Sequence, residues 1–214
     1  LMHPKAQKIL TGEDGTLDEF RVLDKQERLA LLKINHEHTL DFITNGLAME
    51  QYIGNSKQER ADFVRNQEEK LSFTRTLLID AIKPNLGVGD LIKIPQIYAS
   101  VIFSSKQNHN FLDLPKAGLV ITRAAEGGSI SKVFAECLLS IVGHFPQGYG
   151  ITYIPKDDDM QDMERYEYAI VTELNPVDPY TPRCRVATRN LTFISGGHTN
   201  SVNMESNLYF SAAK

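Results

Sequence analysis

The densest group of candidate metal ligands in the sequence is His36-Glu37-His38. Neutral imidazoles and a carboxylate form a donor set that can hold a divalent transition metal. Residues two apart on a helix, however, point about 200° away from each other, so both histidines can share one ion only where the helix is broken. Two interpretations stay open: a ligand role for His36 or His38, or one ring against the core and the other in solvent.

The other residues that can carry chemistry are isolated. His144 follows the glycine that ends a predicted helix, where an imidazolium interacts favourably with the helix dipole. Gly87-Val88-Gly89 can place backbone amides against an anion, but it lacks a third glycine and a preceding strand, which favours a loop between two helices. Asp157-Asp158-Asp159 lacks the ligand spacing and terminal glutamate of a calcium loop, which favours a solvated loop. These residues alone assemble no active site.

The elements that must position these residues are predicted to be helical up to about residue 145. Asp24 is a predicted N-cap with an acidic residue in the first turn, and Ser56 forms a predicted capping box with Glu59. Further helices are expected from Asp90, from Asp113 and Pro115, and from Ser129 or Ser131. The helix after Asp24 carries an amphipathic stripe with apolar steps of three and four residues, formed by Leu29, Leu32, His36, Leu40, Ile43 and Leu47.

The apolar pattern changes after Phe145-Pro146-Gln147-Gly148. Strands are predicted at residues 151–154, 168–171 and 184–188, and residues 191–194 are a candidate fourth strand. The sequence therefore predicts an α+β fold, with an all-helical domain over residues 1–145 and a small antiparallel, β-barrel-like module over residues 146–214.

Composition excludes several classes of protein. Acidic residues outnumber basic ones by 27 to 23, so a globally basic nucleic-acid binder is excluded. No apolar run approaches the roughly 18 residues that span a bilayer, and no signal peptide is evident, so we expect no membrane association and a cytoplasmic location. Cys137 and Cys184 are expected to be buried free thiols in a reducing compartment. The first residue is Leu1 rather than Met, so we expect the chain to be the C-terminal part of a longer protein.

One set of motifs at the helix-to-strand junction resembles a known family. Gly143-His144-Phe145-Pro146-Gln147-Gly148 resembles a Gly-x-[YF]-Pro-x-Gly turn, and it is followed in order by Ala169-Ile170-Val171, Asn175-Pro176 and Pro182-Arg183-Cys184-Arg185-Val186. This order, over about fifty residues, resembles the HD superfamily of metal-dependent phosphohydrolases, in particular its HD-GYP branch. That branch includes bacterial cyclic di-GMP phosphodiesterases.

Upstream segments resemble the metal-binding motifs of the same family, with altered ligands. The segments are Leu1-Met2-His3-Pro4, His36-Glu37, Val64-Arg65-Asn66-Gln67-Glu68 and Ile94-Pro95-Gln96-Ile97-Tyr98-Ala99. On this resemblance Pro4 and Gln96 replace metal-binding aspartates, and Asn66 and Gln67 replace two histidines. His3 and His36 would then be remnants of a site that holds no metal.

The resemblance implies a catalytically inactive HD-GYP-like module for regulation or protein interaction in bacterial signalling. It would have no cofactor, and its partner would be a signalling protein rather than a nucleic acid or a membrane. The alternative is an active metal-dependent phosphohydrolase or cyclic di-GMP phosphodiesterase with iron, manganese or zinc, in which His36 and His38 contribute ligands. A third interpretation is a structural helical domain. The sequence fixes neither the partner nor the oligomeric state.

Overall fold

The computed structural model describes residues 3–47 and 50–211. They fall into two compact units, the first within residues 1–93 and 105–109 and the second within residues 94–104 and 110–214. Residue 145 marks the change from helices to strands, but the units divide the chain elsewhere. The reason is that helical residues share apolar cores with the sheet, as when Leu114 packs with Phe145 and Ile151.

Seven α-helices and two short helical segments of other types are described. The α-helices are α1 (Pro4–Thr11), α2 (Lys25–Asp41), α3 (Lys57–Ile82), α4 (Asp90–Ile102), α5 (Lys116–Glu126), α6 (Lys132–Val142) and α7 (Leu208–Ser211). A π-helical turn, Phe42–Gly46, follows α2, and a 3₁₀ turn, Phe111–Asp113, precedes α5. Within the described ranges, no helix is long and apolar enough to cross a membrane.

The helix starts follow the predicted capping chemistry. The Asp24 carboxylate accepts a hydrogen bond from the Glu27 backbone N–H, and the Glu27 side chain accepts one from the Asp24 N–H. Ser56 accepts from the Glu59 N–H at 3.2 Å, whereas the Glu59 carboxylate accepts from the Tyr52 hydroxyl, so one half of the predicted capping box is seen. These side chains satisfy amide groups that a helix start leaves unpaired, which explains why α2 and α3 begin at the predicted residues.

The strands form a four-stranded antiparallel sheet in the order β1-β2-β3-β6 and a separate two-stranded ribbon, β4-β5. The strands are β1 (Gly150–Tyr153), β2 (Glu167–Val171), β3 (Arg183–Val186), β4 (Thr188–Arg189), β5 (Thr192–Phe193) and β6 (Thr199–Ser201). Ile151 lies opposite Ala169, and Val171 lies opposite Cys184. Alternate residues of β2 are buried, as expected for a sheet with one face against a core. The α+β class is confirmed.

The apolar cores of the described residues lie in the second unit. One core joins Phe145 to the inner face of the sheet, and the other is formed by residues of α4, α5 and α6 with Ile130. In the first unit, the buried residues among those described are Ala6, Asp80 and Gly89. Helix α2 buries none of its 17 residues. Apolar side chains of the first unit are therefore left in contact with solvent.

The two cysteines differ in their environments. Cys184 on β3 is buried, and burial raises the pKa of its thiol to about 12. Cys137 is exposed, so the prediction that both thiols are buried is wrong for this residue. Helix α6 buries Ala135 and Leu139, and a residue two positions from each points to the opposite face.

Candidate functional site

The first predicted metal position forms the start of a helix. His3 is the N-cap of α1, and its Nδ1 accepts a hydrogen bond from the Lys5 backbone N–H at 3.2 Å. Pro4 occupies the first helical position, where its missing N–H costs nothing. The His3 ring lies edge-on to His38, with ring centroids 5.1 Å apart. Both residues therefore have a structural role at this helix start.

The two histidines of α2 point in different directions. His36 is half-buried and lines a groove between α2 and α3, whereas His38 is exposed and contacts His3. Burial lowers the pKa of His36, against the opposing effect of the Glu37 charge. His38 is the solvent-facing ring of the second interpretation, but His36 faces the open groove rather than a core, and the structure does not bring His3 to the side of α2 that carries His36.

The remaining predicted positions are polar surface residues. Asn66 is exposed on α3, and the neighbouring Gln67 donates a hydrogen bond to Glu50 at 3.2 Å. Gln96 is exposed on α4, in the residue range of the other unit. Across residues 3–47 and 50–211, no group of three or more His, Cys, Asp or Glu side chains is arranged to hold a metal ion.

Backbone amides in and before the Gly87-Val88-Gly89 loop already bind a carboxylate from the preceding helix. Asp80, which is 4 % exposed, accepts hydrogen bonds from the backbone N–H groups of Asn85, Leu86 and Gly89, each at 2.7 Å. These amides hold the pKa of Asp80 below its ordinary value. A Cβ on Gly89 would lie 2.2 Å from the Ala81 backbone nitrogen, so the loop needs glycine there. The loop is therefore a helix connection whose amides are satisfied by an internal anion.

The predicted amphipathic stripe of α2 faces an open groove rather than a core. The α2–α3 groove, of about 650 Å³, is lined by the apolar side chains of Leu29, Leu32, Leu40, Ile79 and Ile82. Leu29 is 57 % exposed and Ile82 is 48 % exposed. Exposed apolar surface that is grouped in this way is typical of interaction sites on proteins.

The second unit contains a cavity with aromatic walls. The aromatic pocket, of about 460 Å³, is lined mainly by His144, Phe145, Tyr149, Tyr180, Tyr209 and Phe210. These residues come from the turn after α6, the start of the sheet, the β2–β3 connection and α7. Concave sites with apolar walls built from separate chain segments are the usual places for small-molecule binding.

His144 is the unusual member of this pocket. It is 4 % exposed, its Nδ1 has no hydrogen-bond partner, and its ring stacks on Tyr180 with centroids 3.9 Å apart. Burial lowers the pKa of His144, and the charge of Asp178 opposes that effect only in part. Burial disfavours the imidazolium, the form of His144 that would interact with the helix dipole.

Sequence reasoning missed this pocket because its residues are far apart along the chain. A Cβ on Gly118 of α5 would lie 2.3 Å from His144 Nδ1, so this glycine makes room for the imidazole. A usable sequence signal was the concentration of aromatic residues in Phe145-Pro146-Gln147-Gly148-Tyr149 and in Tyr209-Phe210.

No family model, no curated protein and no solved structure matches the chain. The resemblance to the HD superfamily therefore stays a prediction based on sequence motifs.

Proposed function

We propose that the chain is a non-catalytic interaction module, resembling an inactive HD-GYP protein, that binds an amphipathic helix of a signalling partner in the α2–α3 groove. The observation that supports this most directly is the set of half-exposed leucine and isoleucine side chains that face each other across the groove. Two helices with an apolar furrow between them suit the helix-in-groove mode of recognition.

The spacing of the groove residues supports a helical occupant. Leu29, Leu32 and Leu40 lie on one side of α2, while Ile79 and Ile82 supply the facing wall from α3. Leu32 is 49 % exposed and Ile79 is 49 % exposed, so each has apolar area that a bound helix can remove from water. Burial of that area stabilises a complex by roughly 25 cal/mol for each Å² removed from water.

The rim of the groove indicates the charge of the partner. Lys33, Glu37 and Lys83 lie at its edge, and the Lys33 ammonium group is 3.9 Å from the Glu37 carboxylate. Two lysines and one glutamate give the edge of the groove a net positive charge. An amphipathic helix with apolar residues on one face and acidic residues at the edges of that face therefore fits the groove best.

A binding titration with a defined peptide tests the proposal. A fluorescein-labelled amphipathic helical peptide of leucine and glutamate is titrated with the full chain, and its anisotropy is measured. Leu32→Glu should weaken binding at least about tenfold, because it places a carboxylate in the apolar furrow and beside the glutamates of the peptide. Leu17→Glu is the matched control, because Leu17 is 48 % exposed in the same unit and lies outside the groove.

Three results would contradict the proposal. The first is the absence of saturable binding, and the second is equal weakening by Leu32→Glu and Leu17→Glu. The third is a concentration-dependent dimer, measured by light scattering, that Leu32→Glu dissociates, because a second copy of the chain would then be the occupant of the groove.

A further inference from the structure

The walls of the aromatic pocket are held in place by contacts among the wall residues themselves. Phe145 is 1 % exposed, and its ring meets Tyr209 at 87° and Phe210 at 88°, with centroids 5.3 Å and 5.6 Å away. Tyr209 and Phe210 also lie perpendicular to each other. A pocket whose walls are already ordered loses little conformational freedom when a ligand enters.

A pair of parallel rings provides one flat wall. The planes of His144 and Tyr180 are only 16° apart. His144 keeps this position although its Nδ1 is buried without a hydrogen-bond partner, which costs free energy that a phenylalanine at the same place would not cost. The unpaired Nδ1 is directed at Gly118 of α5, so His144 contributes to the pocket through the rest of its ring.

Charge complementarity narrows the class of ligand. None of the described residues that line the pocket carries an ionised side chain. The nearest charges along the chain are Asp113 and Lys116, which flank the lining residue Pro115 and pair with each other at 2.8 Å. The charge of Asp178 also acts on the lining residue His144, so an anionic ligand would lose its hydration near a carboxylate and without gaining a free cation.

We propose that the aromatic pocket binds an uncharged, planar small molecule of one or two fused aromatic rings. The cavity of about 460 Å³ suits a compact ligand. Aromatic walls favour a planar π system over an aliphatic chain, because stacked and edge-to-face contacts add to the burial of apolar area.

Indole is a suitable probe because the chain contains no tryptophan. The fluorescence of free indole is therefore measured without a protein background from that chromophore. Titration of the full chain into indole should give a saturable blue shift of the emission with a stoichiometry of one. Leu112→Asp should weaken binding at least about tenfold, since Leu112 lines the pocket and is 67 % exposed, so that the substitution leaves the fold intact.

The controls separate this pocket from other apolar surfaces. Leu174→Asp, at an exposed leucine of the same unit outside the pocket, should leave the affinity unchanged, and so should Leu32→Glu in the α2–α3 groove. Indoxyl sulfate, an anionic analogue, should bind more weakly than indole. The proposal is overturned by the absence of a saturable shift, by equal effects of Leu112→Asp and Leu174→Asp, or by tighter binding of the anion.

Discussion

The imidazole of His144 lies parallel to the phenol ring of Tyr180, with ring centroids 3.9 Å apart. The backbone N–H of His144 also donates a hydrogen bond to Pro179 at 2.8 Å, so both the chain and the ring are fixed against the β2–β3 connection. The neutral ring is suited to this environment, whereas the imidazolium is not, because burial lowers the pKa of His144.

The stability of the protein should therefore fall in mild acid. The pKa of His144 is near its ordinary value of 6.5 in the unfolded chain and lower in the folded chain. Between these two values the unfolded state binds more protons, so the free energy of unfolding decreases as the pH falls below about 6.5. For one proton the slope reaches at most about 1.4 kcal/mol per pH unit. Urea unfolding measured between pH 8 and pH 5 checks this expectation.

Two variants assign the pH effect to its source. His144→Phe keeps the ring stacking and removes the titrating group, so the slope below pH 6.5 should decrease while stability at pH 8 is kept or increased. His36→Gln removes the contribution of His36, whose pKa burial also lowers. An unchanged slope in His144→Phe would show that other groups control the acid sensitivity.

Gly118→Ala should destabilise the second unit. The added methyl group would lie 2.3 Å from His144 Nδ1, and the ring is held in place by its stacking on Tyr180. Overpacking of this kind costs about 1–3 kcal/mol, which exceeds the gain in helix propensity from replacing glycine by alanine. Thermal unfolding measures the effect. Gly150→Ala is the control, since nothing lies within 4 Å of its added methyl group, and its effect should be small.

The sequence predicted most of the local structure and little of the site. Asp24 and Ser56 were predictable because a cap and the glutamate three residues later interact within one turn. The interpretation of His3 and Pro4 as a degenerate metal motif does not locate the start of α1, although a proline at the first helical position is itself a helix signal. The aromatic pocket depends on contacts such as that between His144 and Tyr180, which the order of residues does not encode locally.

Asp80→Asn should lower the melting temperature of the first unit. The Asp80 carboxylate accepts three backbone N–H groups of the loop after α3, and an amide presents a donor where one of these acceptors was. These hydrogen bonds lower the pKa of Asp80 in the folded state. The stabilisation is therefore complete above pH 3.8, the ordinary pKa of this carboxyl group, and is lost as the pH falls through the folded-state pKa. Glu69→Gln, at an exposed residue of the same helix, is the matched control and should leave the melting temperature unchanged.

The alternative function, a metal-dependent phosphohydrolase, depends on a bound metal ion. A divalent cation needs anionic ligands or several neutral imidazoles to compensate for its lost hydration. His3 uses its Nδ1 to cap α1, Pro4 has no ligand atom in its side chain, and Gln67 donates to Glu50. We therefore expect purified protein to contain iron, manganese and zinc well below one equivalent per chain by elemental analysis, and hydrolysis of cyclic di-GMP to be undetectable after manganese is added.

His3→Ala separates a structural histidine from a metal ligand. If His3 is only a helix cap, its removal should lower stability by about 1 kcal/mol and leave the metal content unchanged. Stoichiometric metal that survives dialysis and is lost in His3→Ala would instead identify His3 as a ligand. Measurable turnover of cyclic di-GMP would favour the active phosphohydrolase over the interaction module, whatever the α2–α3 groove binds.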